Sequence, residues 1–475
     1  MIVSSFGPVA LFAVPYTADL LNPNLPACLT NNFYGIFGEQ AVFKLTDAAC
    51  LDTQLVQHES GVIVPIQHQQ LVWIQQSAID VSLQTPEYDA EVDDFLRWLR
   101  TEDAVPPSEY QTVLPALDAS SPLSLVYLNG RSGIVAVPDD DAAYALSSFL
   151  PQFWKASPIP STPVAYLPVP EHAVDYIREL LAELRFDPVV ASIVDGLSVT
   201  RMRKDIRYLT NEDGESGIMS RHSFASGSRV AADWLKGQFQ EAGATCELKH
   251  FLEGFAPNVV CKYPAATETS TTVLISGHYD SRGSFGSTRA PGGNDDGSGT
   301  ISILAIARRI KSLGLKFRCN VELVAFAGEE QGLLGSNAYA KELRAQGANL
   351  TLMIQADMIG YHAPDEPPQL GLPMYVGTPE VADLVAKIAA IYSPELTVGY
   401  SAACCSDHQS FHQQGFPATQ VFERAGPIAD PMYHNSGDIS DRRGYDLSQV
   451  RSISKFATLL HAAGFDLSEE FDLKP

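Results

Sequence analysis

Five short polar segments hold the side chains best suited to chemistry. Gly277-His278-Tyr279-Asp280 follows an apolar run at 272–276, and Asn294-Asp295-Asp296-Gly297 closes a glycine-rich loop. Gly328-Glu329-Glu330 follows the run 320–326, Asp357 follows 351–356, and Tyr433-His434 lies near the C-terminal end. Imidazoles and carboxylates without cysteine thiolates suit a hydrolytic Zn²⁺ site with open coordination positions. Taken singly, His278-x-Asp280 reads as a surface pair, Glu329-Glu330 as a solvated loop edge and Asp357 as a helix cap. Their joint occurrence after separate apolar strands puts them on one rim of a sheet, where open α/β sheets gather ligands.

The elements that must position these groups begin at about residue 196, where strands and helices alternate. Strands are expected at 246–251, 258–263, 272–276, 320–326, 351–356 and 418–422. Helices are expected at 226–242, 299–313, 333–346, 379–393 and 446–463. This alternation predicts an α/β fold, a mixed and mostly parallel sheet flanked by helices, over 196–475. Residues 1–150 read instead as an additional N-terminal α+β domain of unknown role, a prosegment or an accessory domain. Its best strands are 61–66, 71–74 and 123–128, with a hairpin signal at Asn129-Gly130 and helices at 91–100 and 140–149. Six prolines crowd 151–170, which marks 151–195 as a Pro-rich linker followed by a helix at 171–184.

The chain has 475 residues, enough for two or three domains, and a formal net charge of −24. That charge argues against nucleic-acid partners and against an anionic membrane surface. It is uneven: residues 1–195 carry −17 and the remaining 280 residues −7. No apolar run approaches the roughly 18–20 residues that span a bilayer. The apolar start, 1–16, is interrupted by Pro8 and Pro15 and has no basic residue before Lys44, a poor secretory signal. Seven cysteines are too few for a disulfide-built fold. Cys28 with Cys50, and Cys246 with Cys261, have spacings that could close loops; buried free thiols are the equal alternative. Cys404-Cys405 could form a vicinal disulfide, pair elsewhere, or stay reduced.

Together the five segments resemble the co-catalytic zinc aminopeptidases of the bacterial leucyl aminopeptidase and aminopeptidase Y type. The resemblance spans 197–467 and keeps the family's order of motifs. It runs through His-x-Asp, Pro-Gly-x-Asn-Asp-x-Gly-Ser-Gly, Glu-Glu-x-Gly-Leu-x-Gly-Ser, Asp-Met and Tyr-His. The segment Ser406-Asp407-His408, followed by Gly415-Phe416-Pro417, also looks like the family's approach to the pocket. The resemblance implies a zinc-exopeptidase-like α/β/α sandwich with two Zn²⁺ ions per chain. His278 and Asp357 would hold one ion, Glu330 and His434 the other, and Asp295 would bridge them along with a water. Glu329 would be the general base. Asp280 would orient the His278 imidazole and Asp438 that of His434. Tyr433 would donate to the developing oxyanion or serve as a packed aromatic beside a ligand. His408 and His412 have helical spacing but stand outside the filled ligand set.

The implied activity is removal of N-terminal residues from peptides with a free amine. A carboxypeptidase or dipeptidase on the same fold, a one-zinc glutaminyl cyclase and a non-catalytic relative are the alternatives. Met358, Phe411 and Tyr433 would make an apolar pocket for an uncharged side chain. A secreted or extracellular location is expected, otherwise a vacuolar or cytoplasmic one; the sequence leaves the oligomeric state unknown.

Overall fold

The computed structural model describes residues 10–17, 20–21, 25–45, 50, 61–66, 70–100, 123–403 and 405–467. It divides into two compact units, Met1–Pro168 and Val169–Pro475.

The first unit holds two four-stranded antiparallel sheets. One orders its strands β2-β3-β1-β4, with β1 at Ala10–Pro15, β2 at Phe33–Phe37, β3 at Gln40–Leu45 and β4 at Val62–Pro65. The other runs β6-β7-β5-β8, with β5 at Leu71–Gln76, β6 at Ser124–Asn129, β7 at Ser132–Ala136 and β8 at Trp154–Ile159. Leu11, Val42, Trp73, Ile134 and Ile159 belong to one buried core. Gly130, at φ +55°, turns the β6–β7 hairpin in the left-handed region that favours glycine. Thr85 caps the helix Pro86–Leu99 by accepting from the Tyr88 amide. Part of the Pro-rich stretch expected as linker is strand, and the helix expected after it is Glu171–Glu183. Residues 154–159 pair with β5, and Pro158 is tolerated because β8 is an edge strand.

The second unit is built on a six-stranded sheet in the order β17-β14-β11-β13-β10-β9. These are β9 Thr245–Lys249, β10 Asn258–Tyr263, β11 Thr271–His278, β13 Asn320–Phe326, β14 Asn349–Ala356 and β17 Ala418–Val421. The four strands β17, β14, β11 and β13 are parallel; β10 and β9 add antiparallel pairs on one side. Register aligns the carboxyl ends: His278 pairs with Phe326, Ser276 with Gln355 and Ala356 with Val421. The residues that follow each strand therefore emerge together on one rim.

The helix Gly297–Leu313 buries 13 of its 17 residues, so it is apolar nearly all round and packs in the interior. Asp296 caps it through the Gly299 amide, and Gly314 at φ +57° ends it. A Cβ on Gly299 would stand 2.2 Å from the Ala356 carbonyl oxygen, so only glycine lets this helix approach β14. The expected helix at 446–463 is two helices, Leu447–Ile453 and Ala457–Ala463. The short helices Pro188–Val194 and His408–Gln413, the small pair β12 Lys316–Phe317 with β18 Phe465–Asp466, and the pair β15 Gln369–Pro373 with β16 Thr397–Ser401 were not expected. Disulfides join Cys28 to Cys50 and Cys246 to Cys261; Cys405 is disulfide-bonded, and Cys404 lies outside the described residues. No described helix is long and apolar enough to cross a membrane.

Candidate metal centre

The aligned strand ends bring all five expected ligands into one buried cluster. His278 is the last residue of β11, Asp357 follows β14, and Glu329-Glu330 lie in the turn after β13. Asp295 precedes the cap of the helix Gly297–Leu313, and His434 comes from the loop beyond β17. Each is 6% exposed or less. Asp295 faces both imidazoles: Oδ1 lies 3.2 Å from His278 Nε2 and Oδ2 3.3 Å from His434 Nε2. Asp357 Oδ1 is 3.6 Å from His278 Nε2, and Glu330 Oε2 is 3.1 Å from His434 Nε2. The set thus divides into a His278–Asp357 side and a His434–Glu330 side, with one carboxylate spanning them. Glu329 Oε2 sits farther out, 4.0 Å from His278 Nε2.

The donor set fits divalent cations. His278 Nε2 and Glu330 Oε1 are buried and make no well-formed hydrogen bond, which a buried polar atom rarely tolerates. Ligand atoms of His278, Asp296 and Asp357 gather within 4.8 Å, as do those of Asp295, Glu330 and His434. Asp296 is otherwise engaged, since its carboxylate accepts from the amides of His278, Gly299 and Met358. The cluster draws positive charge. Burial opposes protonation of His278, yet Glu329, Asp280, Asp295 and Asp357 outweigh it and raise its pKa well above the usual value. Burial likewise pushes the Asp295 pKa up, and the two imidazoles override it, leaving that carboxyl below its ordinary range.

Two supporting acids hold loops through backbone amides, and of the two only Asp280 also lies beside the imidazole it was expected to orient. The atom of Asp280 nearest His278 Nδ1 is its carbonyl oxygen, at 3.2 Å, with the carboxylate at 3.5 Å. The carboxylate instead accepts from Ser223 Oγ and from the amides of Glu329 and Glu330, at 3.1, 3.3 and 3.2 Å. It therefore holds the turn that carries both glutamates. Asp438 does not meet His434; it accepts from the amides of Asn294 and Asp295 and from Arg442. The partner beside His434 Nδ1 is Arg282 Nη1, at 2.8 Å. Nothing in the sequence singled out Arg282, because the contact joins residues 152 apart.

Tyr433 is 1% exposed and stacks on the His434 ring, centroids 3.8 Å apart. His434 and Met358 have φ of +56° and +49°, conformations that cost about 1–2 kcal/mol each in a residue with a Cβ. Phe411 does not line a pocket: it is fully buried in the core with Phe326, Tyr339 and Phe416. His408 Nε2 lies 3.1 Å from the Val376 carbonyl and His412 Nδ1 3.4 Å from Thr378 Oγ1, so the helical pair stands apart from the cluster. Asp407 is fully buried and accepts from Gln355 at 3.1 Å. Burial pushes its carboxyl up to about 7, against the pull of His278.

Residues 258–457 match peptidase family M28. A probable leucine aminopeptidase of Arthroderma otae is 30% identical over 271 residues, covering 54% of this chain and 70% of its own. Leucine aminopeptidase 1 of Sclerotinia sclerotiorum is 29% identical over 276 residues, covering 54% and 68%. Among solved structures, LapB from Legionella pneumophila matches with a TM-score of 0.57 at 17% identity, over 83% of this chain and 100% of its own. The LapA aminopeptidase of the same organism reaches 0.55 at 19%, over 75% and 97%. At these identities the two structures establish a shared fold.

Proposed function

The chain belongs to peptidase family M28 and is a zinc-dependent aminopeptidase, and on that premise we propose how its residues divide the work. The observation that carries the proposal is Asp295, with one oxygen on each imidazole at 3.2 and 3.3 Å. His278 and Asp357 would hold one Zn²⁺, Glu330 and His434 a second, and Asp295 both. Four buried carboxylates, Asp295, Glu329, Glu330 and Asp357, carry a formal charge that two divalent ions would balance. Bound there, the ions would supply polarisation of the scissile carbonyl and activation of a water at neutral pH.

Glu329 would take a proton from the attacking water and return it to the leaving amine. Its position beside the ligands, with its amide held by Asp280, suits that transfer. Tyr433 would brace the His434 ring through the observed stack. Substrates would be peptides with a free N-terminus, and the aminopeptidase relatives support attack at that end over a carboxypeptidase. A secreted location is part of the proposal; the disulfides Cys28–Cys50 and Cys246–Cys261 support an oxidising compartment.

The test is a zinc-loaded assay on one peptide in three forms: free, N-acetylated and C-amidated. Release of the first residue from the free and amidated forms only, with about two zinc ions per chain by metal analysis, is expected. Cleavage of the acetylated but not the amidated peptide would replace this reading with a carboxypeptidase. Conversion of N-terminal glutamine to pyroglutamate would replace it with a cyclase.

A further inference from the structure

We infer that Asn294 is a positioning residue for the metal centre, a single amide that ties the loop of Asp295 to the loops carrying Asp357 and His434. This rests on reading Asp295 as the shared ligand. Asn294 immediately precedes Asp295 and is fully buried. Its Nδ2 donates to Glu423 Oε2 at 2.9 Å and to Asp430 Oδ2 at 2.8 Å. Its Oδ1 accepts from the Gly360 amide at 2.8 Å and from Ser298 Oγ at 3.3 Å. Its backbone amide donates to Asp438.

Each partner sits on an element that bears a ligand or leads to one. Gly360 lies three residues after Asp357, Glu423 follows β17, and Asp430 and Asp438 flank His434. Gly360 comes so close that a Cβ on it would stand 3.0 Å from Asn294 Oδ1. Arg442 closes the far side by donating to both Asp430 and Asp438.

The chemistry requires an amide at this position. Two carboxyl groups on one side take its N–H donors, while the Gly360 N–H on the other needs an acceptor. Aspartate has nearly the same shape but donates nothing, and it would set a carboxylate oxygen against Glu423 Oε2 and Asp430 Oδ2. The cost would fall on Asp295, whose two-sided contact depends on where this loop is held.

Zinc affinity, measured by chelator competition on the full chain without substrate, tests this. Outer partners of metal ligands typically contribute 10–100-fold in affinity. Asn294→Asp is expected to lose that much while its circular dichroism stays that of the wild type. Unchanged zinc affinity in a folded Asn294→Asp protein overturns the inference. If Asn294→Asp does not fold, Asn294→Ser decides: about tenfold weaker zinc binding supports the inference, and unchanged binding overturns it. Failure of the wild type to bind zinc in the same titration would instead refute the metal reading of the cluster.

Discussion

Glu329 and Glu330 are chain neighbours with both amides on Asp280, yet their carboxylates should answer to the same substitution in opposite ways. Glu330 Oε2 approaches His434 Nε2 to 3.1 Å, inside the ligand group, whereas Glu329 Oε2 stays 4.0 Å from His278 Nε2. Glutamine in place of Glu329 keeps the shape and removes the proton acceptor, leaving the five ligand side chains untouched. Loss of a general base costs typically 10²–10⁴-fold, which is about 2.7–5.4 kcal/mol of barrier at 1.36 kcal/mol per decade. Glu329→Gln should therefore bind zinc at the wild-type level while kcat on a saturating peptide falls by that factor. Glu330→Gln should lose about one zinc per chain, and excess zinc should restore part of its activity. The assay pairs metal analysis of each protein with kcat measured in controlled zinc. A Glu329→Gln enzyme within about threefold of wild-type kcat at full zinc content would refute the proton-transfer role. Zinc loss matching that of Glu330→Gln would show instead that Glu329 is a ligand.

Two further predictions concern stability. Burial lowers the pKa of His412 from 6.5 to about 4, so only the unfolded chain takes up its proton between those values. Its contribution is complete above about pH 6.5 and falls with pH, by about 2 kcal/mol at pH 5 and about 3 at pH 4. Urea unfolding of wild type and His412→Gln at pH 7.5 and 5 should show the variant losing less stability on acidification; equal losses would contradict it. The Cys246–Cys261 disulfide closes a loop with a sequence separation of 15. By the chain-entropy account such a loop contributes about 3 kcal/mol, so replacing both cysteines with serine should lower the thermal midpoint measurably. An unchanged midpoint would show that the disulfide adds no stability.

What could be read from the chain and what could not divides along physical lines. His278, Asp295, Glu329-Glu330 and Asp357 were legible as a group because each ends or follows a strand or precedes a helix, and parallel register carries such positions to one rim; His434 joins them from the loop beyond β17. The helix expected at 299–313 is observed at Gly297–Leu313, its start set two residues earlier by the Asp296 cap. The loop-holding contacts of Asp280 and Asp438 were not legible, because their carboxylates serve amides 49, 50, 143 and 144 residues away. Local spacing puts Asp280 beside His278, yet only the folded sheet shows that two glutamate amides compete for the same oxygens. Phe411 failed as a pocket residue for a related reason. A short apolar helix position near a functional segment looks the same in sequence whether it faces substrate or core, and here Phe326, Tyr339 and Phe416 claim it. Strand β8 was not legible within the expected linker and helix at 151–195 because proline excludes only the middle of a sheet, and β8 is an edge. Chemistry-bearing residue types therefore survive translation from sequence to site, while the partners that orient them do not. A variant that tests a ligand can be chosen from the motifs alone; one that tests its support, such as Asn294 or Asp280, requires the fold.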